Sequence, residues 1–529
     1  MSLTSSLALF KNPQQLHLLK GIVRGIEKES LRVTSDGHIA KTAHPKTLGS
    51  ALKHPSITTD YSEALLEFIT EPSSSIEQVL NSLDEIHRFT YRQIGEELLW
   101  VSSMPCQLGA DNQIPVAQYG TSNIGTMKQV YRIGLGHRYG RAMQTISGIH
   151  YNFSVPDTLW RELQKNSKDQ RQSLQDFKSE GYFGAIRNFR RYSWLLLYLL
   201  GAAPAVCRSF VASRQHNLQP VGSDDHSLHS PYATSLRMGD LGYQSAAQSS
   251  LVISYDSLQE YITTLGDALQ KPYAAYDQIG LKDKQGKYQQ LNTHLLQIEN
   301  EFYSAIRPKR TAESNETPLQ ALDRRGVEYI EVRCIDVNPL LSCGIDAETI
   351  RFLDSFLLFC LLSDSPHSND LENTQMAKNM LRTVYTGRDP EMLLMRGQKT
   401  CKLQDWGIEL LDEMQPVAEI LDRAHGHQES KLYLAALNKM RAAINDPQLT
   451  PSATLLEEMQ QKNETFYAMS MRKAREQRED FTARQLDEST HEKFMALAQQ
   501  SFQQQMDLEN NESLSFDEFL NNYWQSSRR

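Results

Sequence analysis

GIVRGIEKESLRV, residues 21–33, has the alternating pattern of a β-strand that begins at a glycine. Side chains of a strand alternate between its two faces, so Glu27 and Glu29 share one face with Gly25 and Leu31. Two carboxylates about 7 Å apart repel each other unless a cation lies between them. A solvated edge strand would explain the same pattern, so both interpretations stay open for this run alone.

Similar short runs recur along the first two thirds of the chain. Further strands are predicted at residues 65–70, 145–154, 291–303 and 326–337. Each of these runs has polar side chains at its middle, where a purely structural strand would have valine or isoleucine. Helical patterns over residues 76–97 and 183–200 alternate with the strands. The combination predicts an α+β fold.

The last third of the chain has a different composition. No glycine follows Gly426, and from about residue 369 the chain is rich in strong helix formers with apolar residues at three- and four-residue spacing. This composition predicts a mainly helical C-terminal region.

The charge balance narrows the range of possible partners. The chain has 55 lysines and arginines against 64 acidic residues, a net charge of -9. Such a surface as a whole repels nucleic acid and anionic membranes. The longest apolar run, residues 194–206, is shorter than the ~20 residues of a membrane-spanning helix and contains Gly201 and Pro204. We therefore expect a soluble, enzyme-sized protein with no nucleic acid partner and no membrane partner.

The six cysteines are scattered singly along the chain, at Cys106, Cys207, Cys334, Cys343, Cys360 and Cys401. Their spacing indicates neither a zinc site nor a disulfide framework. The N-terminus has no positively charged segment followed by a long apolar one, so no secretory signal is predicted. A reducing cytoplasm fits this cysteine usage best.

Two acidic residues, Asp60 and Glu67, flank a run of small and apolar residues in ITTDYSEALLEFIT, residues 57–70, which includes the second predicted strand. Glu67 lies among apolar residues, and buried acids are rare unless they are paired or bound to a metal. Asp60 lies at the other end of the same segment. Glu63 is a weaker candidate, because an exposed turn explains it equally well.

The third predicted strand, TISGIHYNF at residues 145–153, has a histidine at its middle. Gly148, two residues before His150 on the same face, leaves room for a ligand. A lone histidine on a strand is more often a satisfied core residue. His150 gains a functional interpretation only beside the carboxylates.

The run GVEYIEVRCIDVNP, residues 326–339, places Glu331 and Arg333 on one strand face and Glu328 on the other. A cross-strand ion pair would explain an acid and an arginine on one face. The functional interpretation is that Glu331 binds a divalent cation while Arg333 grips phosphate with its planar fork. Glu328 ranks below Glu331 because it projects to the other side.

The run LLQIENEFYSAIRPKR, residues 295–310, ends in the basic cluster Arg307, Lys309 and Arg310. A basic strand end suits a polyphosphate, and an ordinary solvated loop explains it equally well. Two glycine-containing segments, residues 134–140 and 280–288, depart from the dinucleotide and Walker A patterns. If ATP binds here, its phosphates are held by metal ions and arginine.

Taken together, these segments supply hard oxygen ligands and one imidazole. The candidate metal ligands are Glu27, Glu29, Asp60, Glu67, His150 and Glu331. This set suits several Mg²⁺ or Mn²⁺ ions and does not suit a zinc or redox centre. Phosphoryl transfer needs cations, an arginine and in-line positioning. The inferred reaction class is therefore ATP-driven activation of a carboxylate.

The runs RGIEKESLRV, ITTDYSEALLEFIT, MQTISGIHYNF, LQIENEFYSAIRPKR and YIEVRCIDVNP together resemble those of the bacterial glutamate–cysteine ligases, from about residue 19 to residue 354. The resemblance implies a glutamine-synthetase-like fold, a curled antiparallel sheet that forms a funnel flanked by helices. Residues 1–365 would be the catalytic carboxylate–amine ligase core, and residues 366–529 a helical region packed on it. The implied reaction makes γ-glutamylcysteine through a γ-glutamyl phosphate, the first step of glutathione biosynthesis.

The resemblance also implies roles for individual residues. Metal ligands would be the six residues named above, and Arg333 would be the catalytic residue that grips the nucleotide phosphate. Glutamate would be held by Arg237, Gln144, the backbone of Ile146 and Arg132. Cysteine would lie against Tyr61, Tyr131, Tyr243 and Tyr303, whose rings and hydroxyls suit a small thiol side chain. The implied partners are glutamate, cysteine, ATP and several magnesium or manganese ions, with glutathione as a feedback inhibitor and the chain as a monomer.

Two alternatives remain open at this point. A related ligase could join glutamate to a different amine, since only the tyrosine pocket would differ. A catalytically silent protein that binds magnesium and a nucleotide is the other alternative, and the presence of both Glu331 and Arg333 disfavours it.

Overall fold

One antiparallel sheet organises the fold. The computed structural model of the protein describes residues 2–167, 170–212, 215–221, 224–242, 246–248, 251–313 and 316–527. Its main sheet has seven strands. Helices cover one face of this sheet, and the other face bears the polar residues noted above.

The elements alternate along the first two thirds of the chain and are mainly helical thereafter. The strands are β1 (Val23–Val33), β2 (Ile57–Thr59), β3 (Leu65–Ile69), β4 (Leu98–Leu99), β5 (Ile149–Ser154), β6 (Ala205–Cys207), β7 (Gln219–Val221), β8 (Asp224–His229), β9 (Ile306–Lys309), β10 (Tyr329–Ile335), β11 (Leu393–Arg396) and β12 (Lys399–Lys402). The helices are α1 (Leu3–Leu9), α2 (Pro13–Leu18), α3 (Ile76–Tyr91), α4 (Asn123–Tyr139), α5 (Asp157–Lys165), α6 (Leu174–Leu200), α7 (Arg208–Val211), α8 (Leu258–Gln270), α9 (Ala274–Asp277), α10 (Pro318–Arg325), α11 (Ala347–Leu362), α12 (Asp370–Thr386), α13 (Leu403–His425), α14 (Leu432–Asn445), α15 (Pro451–Gln461), α16 (Phe466–Ala483), α17 (Glu488–Asn511) and α18 (Phe516–Ser527).

The register of the main sheet brings distant polar residues together. Its strand order is β2-β3-β1-β5-β10-β9, with β4 paired to β1. Glu27 lies opposite His150, and Glu29 lies opposite Glu67. Glu331 lies opposite Asn152 on the next strand. Because paired residues share a face, four strands present their polar side chains to the same side.

The other face of the sheet is part of the main hydrophobic core. Ile26, Phe68, Tyr151 and Ile330 are fully buried there. Behind the sheet, α3 contacts β1, α6 contacts β10, and α11 contacts both α3 and α6. The packed face therefore holds the strands rigidly while the polar face remains free for chemistry.

Four of the five predicted strands are confirmed, as β1, β3, β5 and β10. The prediction of a strand over residues 291–303 is wrong. That segment contains a single 3₁₀ turn, Glu299–Glu301, and the strand follows it as β9. The Gln297 side chain accepts a hydrogen bond from the Leu291 N–H at 2.9 Å, and Glu301 accepts one from the Gln297 N–H at 2.5 Å. Such local side-chain bonds replace a strand ladder.

The α+β class and the mainly helical C-terminal region are confirmed, with one hairpin, β11–β12, between α12 and α13. The main core includes Phe10 near one end of the chain and Phe494 near the other. One core therefore spans both predicted units, and the division at residue 365 stays a prediction.

The structure corrects the expectation that no cysteines pair. Cys106 and Cys207 form a disulfide, with their Cα atoms 5.5 Å apart. The sequence separation of 101 residues conceals this pair, because only the fold brings β6 next to the loop after β4. Among the described residues, no helix is both long and apolar enough to cross a membrane.

Candidate active site

The polar face of the sheet is the floor of a cavity of about 600 Å³. Every predicted site residue that the structure describes lines this cavity: Glu27, Glu29, Asp60, Tyr61, Glu67, Tyr131, Arg132, Gln144, Ile146, His150, Arg237, Tyr303, Glu331 and Arg333. Tyr243, predicted for the cysteine pocket, lies outside the described residues. Residues from seven segments thus converge on one space.

Three of the predicted ligands form the tightest group on the cavity floor. Single donor atoms of Glu27, His150 and Glu331 lie within 4.8 Å of one another. The Glu27 Oε2 atom is 3.1 Å from His150 Nδ1. Glu29 Oε1 is 3.7 Å from His150 Nε2, on the other side of the ring. The histidine therefore lies between two carboxylates that β1 presents on one face.

Hydrogen bonds fix the orientation of these carboxylates. The Asn152 amide donates to Glu27 Oε1 at 2.8 Å. The Gly148 N–H donates to Glu29 Oε2 at 2.6 Å. Each carboxylate is thus held by one strand neighbour while its remaining lone pairs face the cavity. Such outer contacts are typical of preorganised metal ligands.

The negative charges of the carboxylates on the cavity floor are not all compensated by nearby positive charges. Burial, together with the negative charges of Glu27 and Asp60, raises the pKa of Glu67 well above its usual value. Burial also raises the pKa of Glu29. For Glu331, burial opposes ionisation, but Lys309 and Arg333 outweigh it and hold its pKa well below the usual range. Burial opposes ionisation of Glu27 as well, but His150 and Lys309 outweigh it and lower its pKa. Negative charge is therefore least compensated at Glu29 and Glu67.

This donor set fits hard divalent cations. Carboxylate oxygens with one imidazole suit Mg²⁺ or Mn²⁺, and a cation among them would relieve the repulsion that raises the pKa of Glu67. Glu27, Glu29, Glu67, His150 and Glu331 come from strands, and Asp60 immediately follows β2. The cavity therefore has the residues that a multi-cation site requires.

Three cationic side chains border the carboxylates. Arg333 Nη1 is 3.1 Å from Glu331 Oε2, and Lys309 Nζ is 3.2 Å from Glu331 Oε1. Arg307, opposite Glu331 in the β9–β10 register, also lines the cavity. Two of the three residues of the predicted basic cluster, Arg307 and Lys309, therefore line the cavity. Arg310 points elsewhere, 3.8 Å from Glu328.

Arg237 lies deep at another side of the cavity. Its side chain is 2% exposed, and Nη1 is 3.7 Å from Asp336 Oδ1. Nη2 donates to the Arg333 carbonyl at 2.9 Å. A Cβ atom on Gly148 would lie 1.9 Å from Arg237 Nη2, so the guanidinium occupies the space that the missing side chain leaves. Gly148 therefore determines the positions of both the Glu29 carboxylate and the Arg237 guanidinium.

Gln144 and Arg132 are held from neighbouring segments. The Gln144 amide donates to the Tyr303 hydroxyl at 2.9 Å, which links two predicted substrate residues. Arg132 donates to the Asp60 carbonyl and stacks over the Tyr119 ring at 4.6 Å. Ile146 lies just after the 3₁₀ turn Met143–Thr145 and lines the cavity.

Tyr61, Tyr131 and Tyr303 line the same cavity. Tyr61 is 1% exposed, and its buried hydroxyl has no hydrogen-bond partner within the described structure. A Cβ atom on Gly136 would lie 2.5 Å from this hydroxyl, so α4 admits the ring only because that position is glycine. A buried hydroxyl without a partner indicates a place for a polar ligand group.

The two weaker acidic candidates lie outside the cavity. Glu63 accepts hydrogen bonds from the His44 and Gln118 N–H groups at 2.9 and 2.8 Å, so it anchors two loops. Glu328 accepts from the Thr311 N–H at 3.0 Å. Both residues therefore have local structural partners.

Sequence reasoning missed several residues of the cavity, among them Lys128 and Tyr523. Lys128, on α4, lines it beside Arg132, and burial lowers the pKa of Lys128 to about 8. Its four-residue spacing from Arg132 was the available signal. Tyr523, on the last helix, also lines the cavity, and nothing in the local sequence indicates it.

Comparisons with known proteins agree on one family. The family model described as Glutamate-cysteine ligase matches residues 7–383. A glutamate–cysteine ligase of Alcanivorax borkumensis is 50% identical over 510 residues, which cover 96% of each chain. One of Saccharophagus degradans is 51% identical over 508 residues, covering 96% of this chain and 95% of the relative.

Solved structures give the same result. The chain is similar to a glutamate–cysteine ligase of Francisella tularensis solved in complex with AMP, with a TM-score of 0.88 and 37% identity over 96% of this chain and 98% of that one. It is also similar to a bifunctional glutathione synthetase of Pasteurella multocida, with a TM-score of 0.68 and 26% identity over 92% of this chain and 56% of that one.

Proposed function

The chain belongs to the glutamate–cysteine ligase family, and from this we propose which residues of the cavity perform each part of the ligation. The enzyme joins the γ-carboxyl of glutamate to the amine of cysteine with ATP, giving γ-glutamylcysteine, ADP and phosphate, the first step of glutathione biosynthesis. The glutamate carboxylate attacks the γ-phosphorus of ATP, and ADP leaves. The cysteine amine then attacks the acyl carbon of γ-glutamyl phosphate, and phosphate leaves with its bonding electrons.

Glu27, Glu29, Asp60, Glu67, His150 and Glu331 would hold Mg²⁺ or Mn²⁺. When bound, these ions supply positive charge to the phosphates at a site that otherwise has an excess of carboxylates. The observation that supports this role most directly is the convergence of Glu27, His150 and Glu331 within 4.8 Å. The raised pKa of Glu67 supports it further.

Arg333 would grip the transferred phosphoryl group. It is permanently charged and lies at the border of the carboxylate group, 3.1 Å from Glu331. Lys309, at 3.2 Å from the same carboxylate, would hold a second phosphate. Fixed cations stabilise the charge that develops on the equatorial oxygens during phosphoryl transfer.

Arg237, Gln144, the backbone of Ile146 and Arg132 would hold glutamate, and Tyr61, Tyr131, Tyr303 and Tyr243 would hold cysteine. The buried charge of Arg237 suits the α-carboxylate of glutamate. The unpartnered hydroxyl of Tyr61 suits a polar group of the second amino acid. The amine of cysteine is itself the nucleophile, so the chain needs no nucleophilic side chain.

Replacing Arg333 tests these assignments. Arg333→Ala should lower kcat/KM for ATP about 1000-fold in an ADP-release assay, because the lost cation acts on the transition state. Arg310→Ala is the matched control, since Arg310 lies on the same basic segment but outside the cavity, and it should stay within about twofold. Equal effects of the two changes would contradict the assignment.

A panel of amines tests the cysteine pocket. With glutamate and ATP present, cysteine should release ADP faster than alanine or 2-aminobutyrate, and Tyr61→Phe should reduce that preference. No preference for cysteine would assign the pocket to a different amine. We also propose that the enzyme is a cytoplasmic monomer and that glutathione inhibits it, because the γ-glutamyl-cysteinyl part of glutathione would occupy the same two subsites.

A further inference from the structure

The last helix of the chain packs on the rim of the cavity and away from the main core. Leu520 of α18 lies in a small separate cluster with Met127 and Val130 of α4 and Leu291. Phe516, Phe519 and Trp524 pack against the same cluster. Helix α18 is therefore docked chiefly onto the walls of the cavity.

Polar contacts fix the position of this helix. Asp517 pairs with Lys282 at 3.0 Å, and the Tyr288 ring packs edge-on against Phe516 at 5.1 Å. Just before the helix, Glu512 accepts a hydrogen bond from the Asn123 N–H at 2.7 Å, at the start of α4. The Asn123 amide donates to the Leu514 carbonyl at 3.0 Å. These bonds hold α18 at one angle to the cavity wall.

Tyr523 is the residue of α18 that faces the cavity. It lines the cavity with Ile124, Ile298, Glu299 and Pro318. Burial, and then the negative charge of Glu299, raises the pKa of Tyr523 well above its usual value. The ring therefore lies at the end of the cavity that Ile124 and Ile298 make largely apolar, with the Glu299 carboxylate nearby.

This apolar end adjoins the phosphate side. Arg307, which lines the cavity near Glu331, donates to the Asn300 carbonyl at 3.0 Å. Asn300 directly follows Glu299, whose negative charge acts on Tyr523, and Ile298 packs against the same cluster as Tyr523. One short segment, residues 298–300, thus lies beside both the Tyr523 ring and Arg307, one of the cations proposed to hold the phosphates.

We propose that Tyr523 packs against the base of the bound nucleotide, so that α18 forms the base subsite of the active site. This inference rests on the proposed function, since it takes the phosphates to lie at Arg333, Lys309 and Arg307. An aromatic ring beside apolar side chains binds a planar base through its face. The role of the end of the chain would then be recognition of the nucleotide.

Binding of ADP and of inorganic tripolyphosphate to the full chain tests the proposal. Tripolyphosphate has the three-phosphate chain of ATP and lacks the ribose and the base. Tyr523→Ala should raise the Kd for ADP about tenfold or more, the usual range for losing one base–aromatic contact. The inhibition constant of tripolyphosphate and the KM for cysteine should stay within about twofold. Tyr523→Phe, which keeps the ring, should bind ADP as the unaltered enzyme does.

Phe519→Ala is the matched control, because it removes an aromatic ring of the same helix and cluster that does not line the cavity. It should leave the Kd for ADP within about twofold. An equal rise with Phe519→Ala, an unchanged Kd with Tyr523→Ala, or an equal loss of tripolyphosphate binding would each overturn the proposal. If Tyr523→Ala does not fold, Tyr523→Leu, which keeps apolar bulk, decides by the same comparison. Absence of ligation in the unaltered enzyme would instead contradict the proposed function.

Discussion

Gly148 shows how one absent side chain sets two functional groups. Its N–H holds Glu29 at 2.6 Å, and the space above its Cα contains the Arg237 guanidinium. The sequence indicated only that a ligand could lie near a glycine beside His150. The guanidinium that fills the space comes from a segment about ninety residues later, which strand alternation cannot reveal.

We predict that Gly148→Ala raises KM for glutamate about tenfold or more, because the added Cβ would lie 1.9 Å from Arg237 and must displace it. Steady-state kinetics with glutamate varied measures this effect. Gly25→Ala is the control. Gly25 lies on the same face of β1 as Glu27 and Glu29, and a Cβ atom there would lie 3.7 Å from Asn152. The same rise in both variants would show that the Arg237 position is not the cause.

Alternation identified Glu27, Glu29 and Glu331, because a strand has a fixed period and its polar face is visible in the sequence. Glu67 was predicted from its apolar neighbours, and Asp60 from its place in the same segment. Tyr523 was missed because its position depends on docking of α18, far along the chain from the sheet. Tyr243 stays a prediction.

At the scale of elements, the strands with glutamate at their middle were correctly predicted, whereas residues 291–303 were not. Their alternating polar residues bond to their own loop, as Gln297 does to Leu291 at 2.9 Å. Periodicity shows which side of a segment a residue faces. It does not show whether the segment pairs with another strand. The turn before β2 is a second case, in which a histidine serves as the backbone partner.

His54 should make the protein sensitive to acid. Its Nδ1 accepts from the Ser56 and Ile57 N–H groups at 3.1 and 2.9 Å, so the ring must be neutral at that atom. Burial lowers the pKa of His54 to about 4, from an ordinary value of 6.5. The unfolded chain therefore binds the extra proton, and the stability from this residue is complete above about pH 6.5 and is lost as pH falls towards 4.

His54→Asn keeps a neutral acceptor oxygen without the titrating ring, so its melting temperature should fall less than that of the unaltered protein between pH 7 and pH 5. The uptake of one proton lowers the free energy of unfolding by at most about 1.4 kcal/mol per pH unit. His38→Asn, at a side chain 60% exposed, should keep the original pH profile. An unchanged fall in His54→Asn would refute the role of the ring.

At the scale of the whole molecule, the carboxylates of β1, β3 and β10 come together only when the sheet is complete. We predict that Mn²⁺ raises the melting temperature by several degrees and that a chelator reverses the rise, because the cation relieves the repulsion around Glu67. Differential scanning calorimetry measures the shift.

Glu67→Gln and Glu331→Gln should abolish most of the Mn²⁺ shift. Glu328→Gln, just before β10 and outside the cavity, should retain it. A shift that survives in all three variants would place the cation elsewhere. Fold class was predictable at this scale, whereas the Cys106–Cys207 disulfide was not, because its residues meet only through tertiary packing.

The single core that joins Phe10 to Phe494, together with Tyr523 at the cavity wall, has a consequence for biosynthesis. The strands of the main sheet leave the ribosome early, yet the part of the chain that contains Phe494 and Tyr523 is translated long after them. A nascent or prematurely terminated polypeptide that lacks this part has an incomplete cavity. Translation through α18 thus becomes a condition for a complete cavity.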